Sequence, residues 1–234
     1  GFSLVTGDPG TGKSAALRVL HKRLSQMRGL NVASITRPQS RLADFYRELG
    51  NLFGIELKSH NAYGGFRSLR ESWRLHAESS LLRPVVIIDE AQEMPTATLS
   101  ELRLLTSSDF DSKSLLTVVL GGDRRLSERF RTPELLPVGS RIRARLSLEA
   151  LPKDELARCL LELTTLAGNA SLMSKELIQT LAEHSAGNYR VATIMAADLL
   201  ISGIAKNATQ LDEGLFFEVF TSAKRKGKVA SRNA

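Results

Sequence analysis

VTGDPGTGKSAAL, residues 5–17, is the stretch on which the fold turns. Gly7-Asp8-Pro9-Gly10-Thr11-Gly12-Lys13-Ser14 fits G-x-x-x-x-G-K-[ST] at every fixed position. The apolar run FSLV before it suits a buried parallel strand. Leu17, Leu20 and Leu24 after it recur at helical spacing. Glycines let the backbone curl so that successive N–H groups point at phosphate oxygens. The helix N-terminus behind the loop adds partial positive charge at the same place. Lys13 supplies a full charge for the β- and γ-phosphates, and the Ser14 hydroxyl is a ligand for Mg²⁺. The plainer alternative is a glycine-rich turn with an incidental lysine, but the flanking strand and helix argue against it. Gly7 to Ser14, with Leu17 one turn on, form the expected ATP cradle.

A second half-motif lies at RPVVIIDEAQ. Val85–Ile88 is a continuous apolar run, as expected of a central parallel strand, and it ends in Asp89 and Glu90. Strand C-termini beside a phosphate loop are where open α/β sheets bind ligands. Asp89 is expected to complete the Mg²⁺ shell, and Glu90 to orient and activate the attacking water. The alternative is a pair of acids capping the next helix.

Alternating strands and helices continue to about residue 150. LNVASIT (30–36) reads as a strand, and SRLADFYRELGNLFGI as a helix capped by Ser40. GGFRSLRESWRLHAESS reads as another helix, with Phe66, Leu69 and Trp73 on one face. Its Arg67, Glu71, Arg74 and Glu78 read as a solvated, salt-bridged face. A helix at ATLSELRLLTSS, a strand over 114–122, a helix at RRLSERFR and the stretch VGSRIRARLSLEAL follow. This is an α/β order with short links, which implies a parallel sheet covered on both faces. From Pro152 onward four helical stretches follow with no strand signal, two of them ending in Gly168 and Gly187. The expected domains are an α/β nucleotide-binding core over 1–150, a helical unit over 151–222 and a basic flexible tail over 223–234. The chain opens directly in its first strand, so N-terminal sequence is expected to be missing.

The chain has 234 residues, 42% of them hydrophobic, enough for one substantial core or two modest ones. A single cysteine, Cys159, excludes an internal disulfide and suits a reducing compartment. No apolar run approaches the ~18 residues of a membrane helix. Histidines 21, 60, 76 and 184 lack metal-ligand spacing. Net charge is +7, but without the five tail cations 27 basic groups face 25 acidic ones. Between Asp123 and Arg145 seven arginines face three acids. Charge concentrated in this way favours a specific basic surface plus a basic tail, the tail being either a binding element or a merely solubilising terminus.

GDPGTGKS, VVIIDEAQ, GSRIRAR and GNYR together resemble an AAA+ ATPase. DEAQEMPTATLSELRLLTS, LLTVVLGGDRRLSERFRTPEL and RIRARLSLEALPKDEL resemble the ExeA/TniB group of bacterial AAA+ ATPases, which includes transposition regulators such as TnsC. The likeness runs over about residues 2 to 221 and implies a P-loop sheet core with a small C-terminal α-helical lid. It implies that Arg141 is an arginine finger offered to a neighbour's γ-phosphate, with Arg143 a near alternative. It implies that Arg190 touches nucleotide from the lid. A surface salt bridge is the plain alternative for both. One departure stands out: the family usually ends its fourth strand in Asn or Thr, and this chain has Gly121, Gly122 and Asp123 there. That departure implies slow hydrolysis, because an acid beside a γ-phosphate is electrostatically unfavourable.

The function so implied is an ATP-dependent, DNA-binding AAA+ regulator of transposition. It would be a slow, assembly-stimulated ATPase in the bacterial cytoplasm, off the membrane. Homo-oligomers would form a ring or filament on double-stranded DNA and recruit a transposase or target-selection protein. Arg37, Arg41 and Lys58 are the expected phosphate-backbone contacts. The alternatives are an ExeA-like secretion-assembly ATPase and a nucleotide-gated scaffold that binds only proteins.

Overall fold

The computed structural model describes residues 1–38, 41–55, 62–79, 82–108 and 113–220. The chain divides into two compact units, Gly1–Leu148 and Glu149–Ala234.

The first unit is built on a five-stranded parallel sheet in the order β2-β3-β6-β1-β7. The strands are β1 (Phe2–Gly7), β2 (Leu30–Ile35), β3 (Arg83–Ile88), β6 (Thr117–Gly122) and β7 (Ile142–Leu148). The side chains of β1, β2, β3 and β6 alternate between two apolar layers, whereas residues 143–147 of the edge strand β7 are exposed. Leu4, Val86, Ile88, Val118 and Leu120 join a core with α2 (Leu42–Phe53), α3 (Ala62–Ser79) and α4 (Thr96–Thr106). Val5, Ile87 and Val119 point the other way and meet Leu17, Leu20 and Leu24 of α1 (Lys13–Ser25). Burial on both faces explains why β3 is apolar at every position from Val85 to Ile88. β3 lies beside the middle strand, which is β6.

One local expectation differs from the structure. The strand expected over 114–122 begins only at Thr117. Ser114 instead pairs back with Ser107 in a short antiparallel ladder of β4 (Ser107–Ser108) and β5 (Lys113–Ser114). The Leu115 N–H donates to Thr106 O at 2.9 Å, so the chain turns before it can join the sheet. Helix α2 starts behind Arg41, whose side chain makes no cap bond; the expected cap Ser40 lies outside the described residues. On α3 the solvated face carries an Arg74–Glu71 ion pair at 2.7 Å. Two short helices, α5 (Arg124–Arg129) and α6 (Leu136–Gly139), lie between β6 and β7.

The second unit contains α7 (Lys153–Leu166), α8 (Lys175–His184), α9 (Tyr189–Ala205) and a helix α10 over 213–220. Leu156, Leu160, Leu177, Leu181, Leu199 and Phe216 form its core. Ser174 and Asn188 cap α8 and α9 with their side chains. Gly168 and Gly187 stand just past helix ends with φ of 93° and 77°, conformations that favour glycine.

Candidate active site

Gly7 closes β1 and Lys13 opens α1, so the phosphate loop is the direct link between strand and helix. Gly10 and Gly12 have φ of 88° and 91°, which a side-chain-bearing residue adopts only with strain. No side chain caps α1 at Gly12, so the N–H groups of its first turn are not taken up by a side-chain cap. Lys13 is only 7% exposed. Its Nζ donates to Asp8 O at 2.9 Å, and the Thr11 hydroxyl and N–H donate to the same carbonyl at 2.8 and 3.2 Å. The loop is thus curled around one carbonyl, with the lysine ammonium inside the curl. Asp8 and Pro9 are exposed, as is Ser14 in the first turn of α1; Leu17 is buried beneath the sheet.

β1, β6 and β3 are neighbours and parallel, so their C-terminal ends share one edge of the sheet. That edge brings the phosphate loop together with Asp89, Glu90 and Asp123. The Asp89 N–H donates to Ile35 O at 2.9 Å, and Asp89 Oδ1 accepts from the Glu90 N–H at 2.9 Å. Neither acid caps the short 3₁₀ turn Ala91–Glu93. Glu90 sits in left-handed backbone, φ 52° and ψ 36°, a strained state for a residue with a side chain. Among the described residues no cluster of three or more His, Cys, Asp or Glu side chains could hold a metal ion by itself. A hydroxyl and one carboxylate are hard oxygen donors that suit Mg²⁺ shared with nucleotide phosphates. Ser14 and Asp89 fit that role.

Asp123 is committed elsewhere. Its carboxylate caps α5 (Arg124–Arg129) by accepting from the Arg125 N–H at 2.9 Å, and it pairs with the Arg125 side chain. The hydrogen bond from Arg125 holds the Asp123 carboxyl below its ordinary value, against a smaller opposing effect of burial. Three arginines fasten α5 to the site: Arg124 to Asp8 at 2.7 Å, Arg125 to Glu93 at 2.9 Å, and Arg129 to the Gln92 and Met94 carbonyls at 2.6 and 2.7 Å. Three of the seven arginines in this segment are therefore answered by groups of the same subunit.

Arg141 lies at the other end of the sheet. Ile142 pairs with Phe2 at the start of β1, whereas Leu148 pairs with Gly7 beside the loop. A strand of this length spans roughly 20 Å, so Arg141 stands at the edge away from its own phosphate loop. Its guanidinium donates to Pro137 O at 2.6 Å and that of Arg145 to Gly139 O at 2.9 Å, while Arg143 is exposed. Arg190 is exposed in the first turn of α9, in the second unit, and its N–H donates to Asn188 Oδ1 at 3.1 Å. Arg37 and Arg41 are exposed beyond the C-terminal end of β2. Lys58 and the basic tail lie outside the described residues.

Sequence reasoning did not single out Gln92. It is buried at 8% exposure and bonds to Glu90. Its sequence signals were an amide two residues after the acid pair and a strand, β6, ending in two glycines.

A P-loop nucleotide fold with paired acids at a strand end defines the class. A profile of the AAA domain family matches residues 1–130, and the chain belongs to that family. It is 30% identical over 218 residues to General secretion pathway protein A of Aeromonas hydrophila, over 92% of this chain and 39% of that protein. In fold it is similar to Cdc6p from Pyrobaculum aerophilum, with a TM-score of 0.69, 17% identity and coverage of 90% of this chain and 57% of that one. It is similar also to the Aeropyrum pernix ORC1 protein in complex with DNA, with a TM-score of 0.68, 16% identity and coverage of 95% and 59%. The chain thus spans well under two thirds of each of these proteins. Among the described residues no helix is long and apolar enough to cross a membrane.

Proposed function

We propose that the chain is an ATPase switch whose catalytic site is completed by a second copy. In the step envisaged, the water oxygen bonds to the γ-phosphorus as the bond to the β–γ bridging oxygen breaks. ADP leaves with that electron pair, and the water proton passes to Glu90. Lys13 and the loop N–H groups hold the phosphates, and Mg²⁺ held through Ser14 and Asp89 would offset their charge. The observation that carries the reading is the separation of Arg141 from its own loop by the length of the sheet. An arginine so placed serves a nucleotide only in trans, and charge supplied there stabilises the transition state. Arg190 is proposed to sense nucleotide from the helical unit. Turnover would be slow, below several per second, until subunits assemble.

The finer reading is a DNA-bound regulator of transposition, forming a ring or filament on duplex DNA and recruiting a transposase or target-selection partner. Exposed Arg37 and Arg41 on the sheet edge, with Lys58 and the basic tail, are its proposed DNA contacts. A second reading, assembly of a secretion apparatus, is favoured by the likeness to General secretion pathway protein A. Imaging of the full chain with duplex DNA and a slowly hydrolysed ATP analogue, beside ADP and DNA-free samples, tests the choice. Rings or filaments that need both DNA and the analogue support the regulator; assembly indifferent to DNA refutes it.

A further inference from the structure

β6 ends at the catalytic edge without a side chain to offer. Gly121 and Gly122 have none, and the Asp123 carboxylate is spent on capping α5 and on Arg125. The space is filled instead from the turn that follows β3. A Cβ at Gly122 would lie 2.6 Å from Gln92 Oε1 and 2.7 Å from Leu126 Cδ2, so glycine is what admits the amide. That amide uses both ends. Its Nε2 donates to Glu90 Oε2 at 2.5 Å, and its Oε1 accepts from the Asp123 N–H at 3.2 Å. The pairing settles its orientation, because only the NH₂ end serves a carboxylate and only the oxygen serves an N–H. Its own carbonyl is held by Arg129.

We propose that Gln92 is a positioning residue for hydrolysis, the side chain that ties the Glu90 carboxylate to the end of β6. The inference rests on the ATPase reading above. One carboxylate oxygen, Oε2, is fixed by the amide, and the other, Oε1, is left to accept the proton of the attacking water. The link also joins Glu90 to Asp123 and so to α5, whose Arg124 grips Asp8 of the phosphate loop. Gln92 thereby supplies, from the loop after β3, the polar group that the strand end lacks.

The test compares wild type, Gln92→Leu and Gly122→Ala as full chains, assayed for ATP turnover with Mg²⁺ and duplex DNA. Gln92→Leu keeps the volume and removes the amide; Gly122→Ala keeps the amide and displaces it. Misplacing a catalytic group by about 1 Å costs on the order of 100-fold. The expected loss in kcat is roughly 10- to 100-fold, with KM and the Kd for a fluorescent ADP analogue within about two-fold of wild type. In a Glu90→Ala background Gln92→Leu should cost nothing further, an outcome that general damage to the fold would not give. Unchanged or faster turnover in Gln92→Leu overturns the proposal, as does an undiminished loss in the Glu90→Ala background. Should Gln92→Leu fail to fold, Gly122→Ala decides by the same criteria. A wild-type chain that binds ATP without hydrolysing it overturns the ATPase reading itself, a result distinct from active wild type with indifferent variants.

Discussion

Replacing Arg129 by methionine keeps the apolar stem and removes the guanidinium that binds the loop after β3. In the native chain Arg129 donates to Gln92 O at 2.6 Å, Met94 O at 2.7 Å and Thr96 Oγ1 at 3.2 Å. Hydrogen bonds from a charged donor contribute about 1.5–3 kcal/mol each, the lower end applying where water can replace the donor. Arg129 is partly exposed, so the two short carbonyl bonds are worth about 3 kcal/mol together. For a unit of this size each kcal/mol moves Tm by about 2–4 °C, which gives a fall of about 6–12 °C. Trp73, the chain's one tryptophan, is buried in the core of the first unit, so its fluorescence follows the unfolding of that unit. Arg129→Lys keeps a charged donor but on a shorter stem than the single guanidinium nitrogen that donates to both carbonyls, and should recover about half of the loss. A fall below about 2 °C in Arg129→Met would show that the clamp contributes little and that the loop is held by other means.

Lys13→Ala should weaken ATP binding at least tenfold, measured with a fluorescent analogue, whereas Glu90→Gln should bind normally and lose about 10²- to 10⁴-fold in turnover. Tyr46 donates to Glu101 at 2.5 Å, and burial, aided by Glu101, pushes its hydroxyl well above the ordinary tyrosine value. A group whose folded pKa is raised contributes stability that is complete below the unfolded value and lost as pH rises past it. Stability should therefore decline above about pH 10, and less so in Tyr46→Phe, as chemical denaturation across that range will show. Gly12→Ala, at φ 91°, should cost about 1 kcal/mol or more in denaturant unfolding and weaken nucleotide binding by distorting the loop.

The phosphate loop and the acid pair were legible because each is a contiguous run whose chemistry needs particular residues in a particular order. The sheet followed from β3, whose apolar run has no polar face, and from the regular alternation of elements around it. The hairpin that delays β6 to Thr117 was not legible, because Ser114 and Ser107 pair through backbone groups that carry no side-chain signature. Gln92 escaped notice for a related reason: its role depends on the room beside Gly122, thirty residues away in the chain and adjacent only across two paired strands. The arginines after Asp123 suggested a basic surface when counted as charges. In the fold Arg124, Arg125 and Arg129 meet Asp8, Glu93 and two carbonyls, so part of that charge is answered within the subunit.

The central claim, that Arg141 acts on a neighbour's nucleotide, is tested most directly by mixing two inactive chains. Arg141→Ala retains its own loop and Glu90, while Glu90→Gln retains Arg141. If the site is shared between copies, each is inactive alone and the equimolar mixture, with ATP, Mg²⁺ and duplex DNA, regains turnover at interfaces that pair an intact loop with an intact arginine. A mixture no more active than its parts, or an Arg141→Ala chain as active as wild type, would contradict the account.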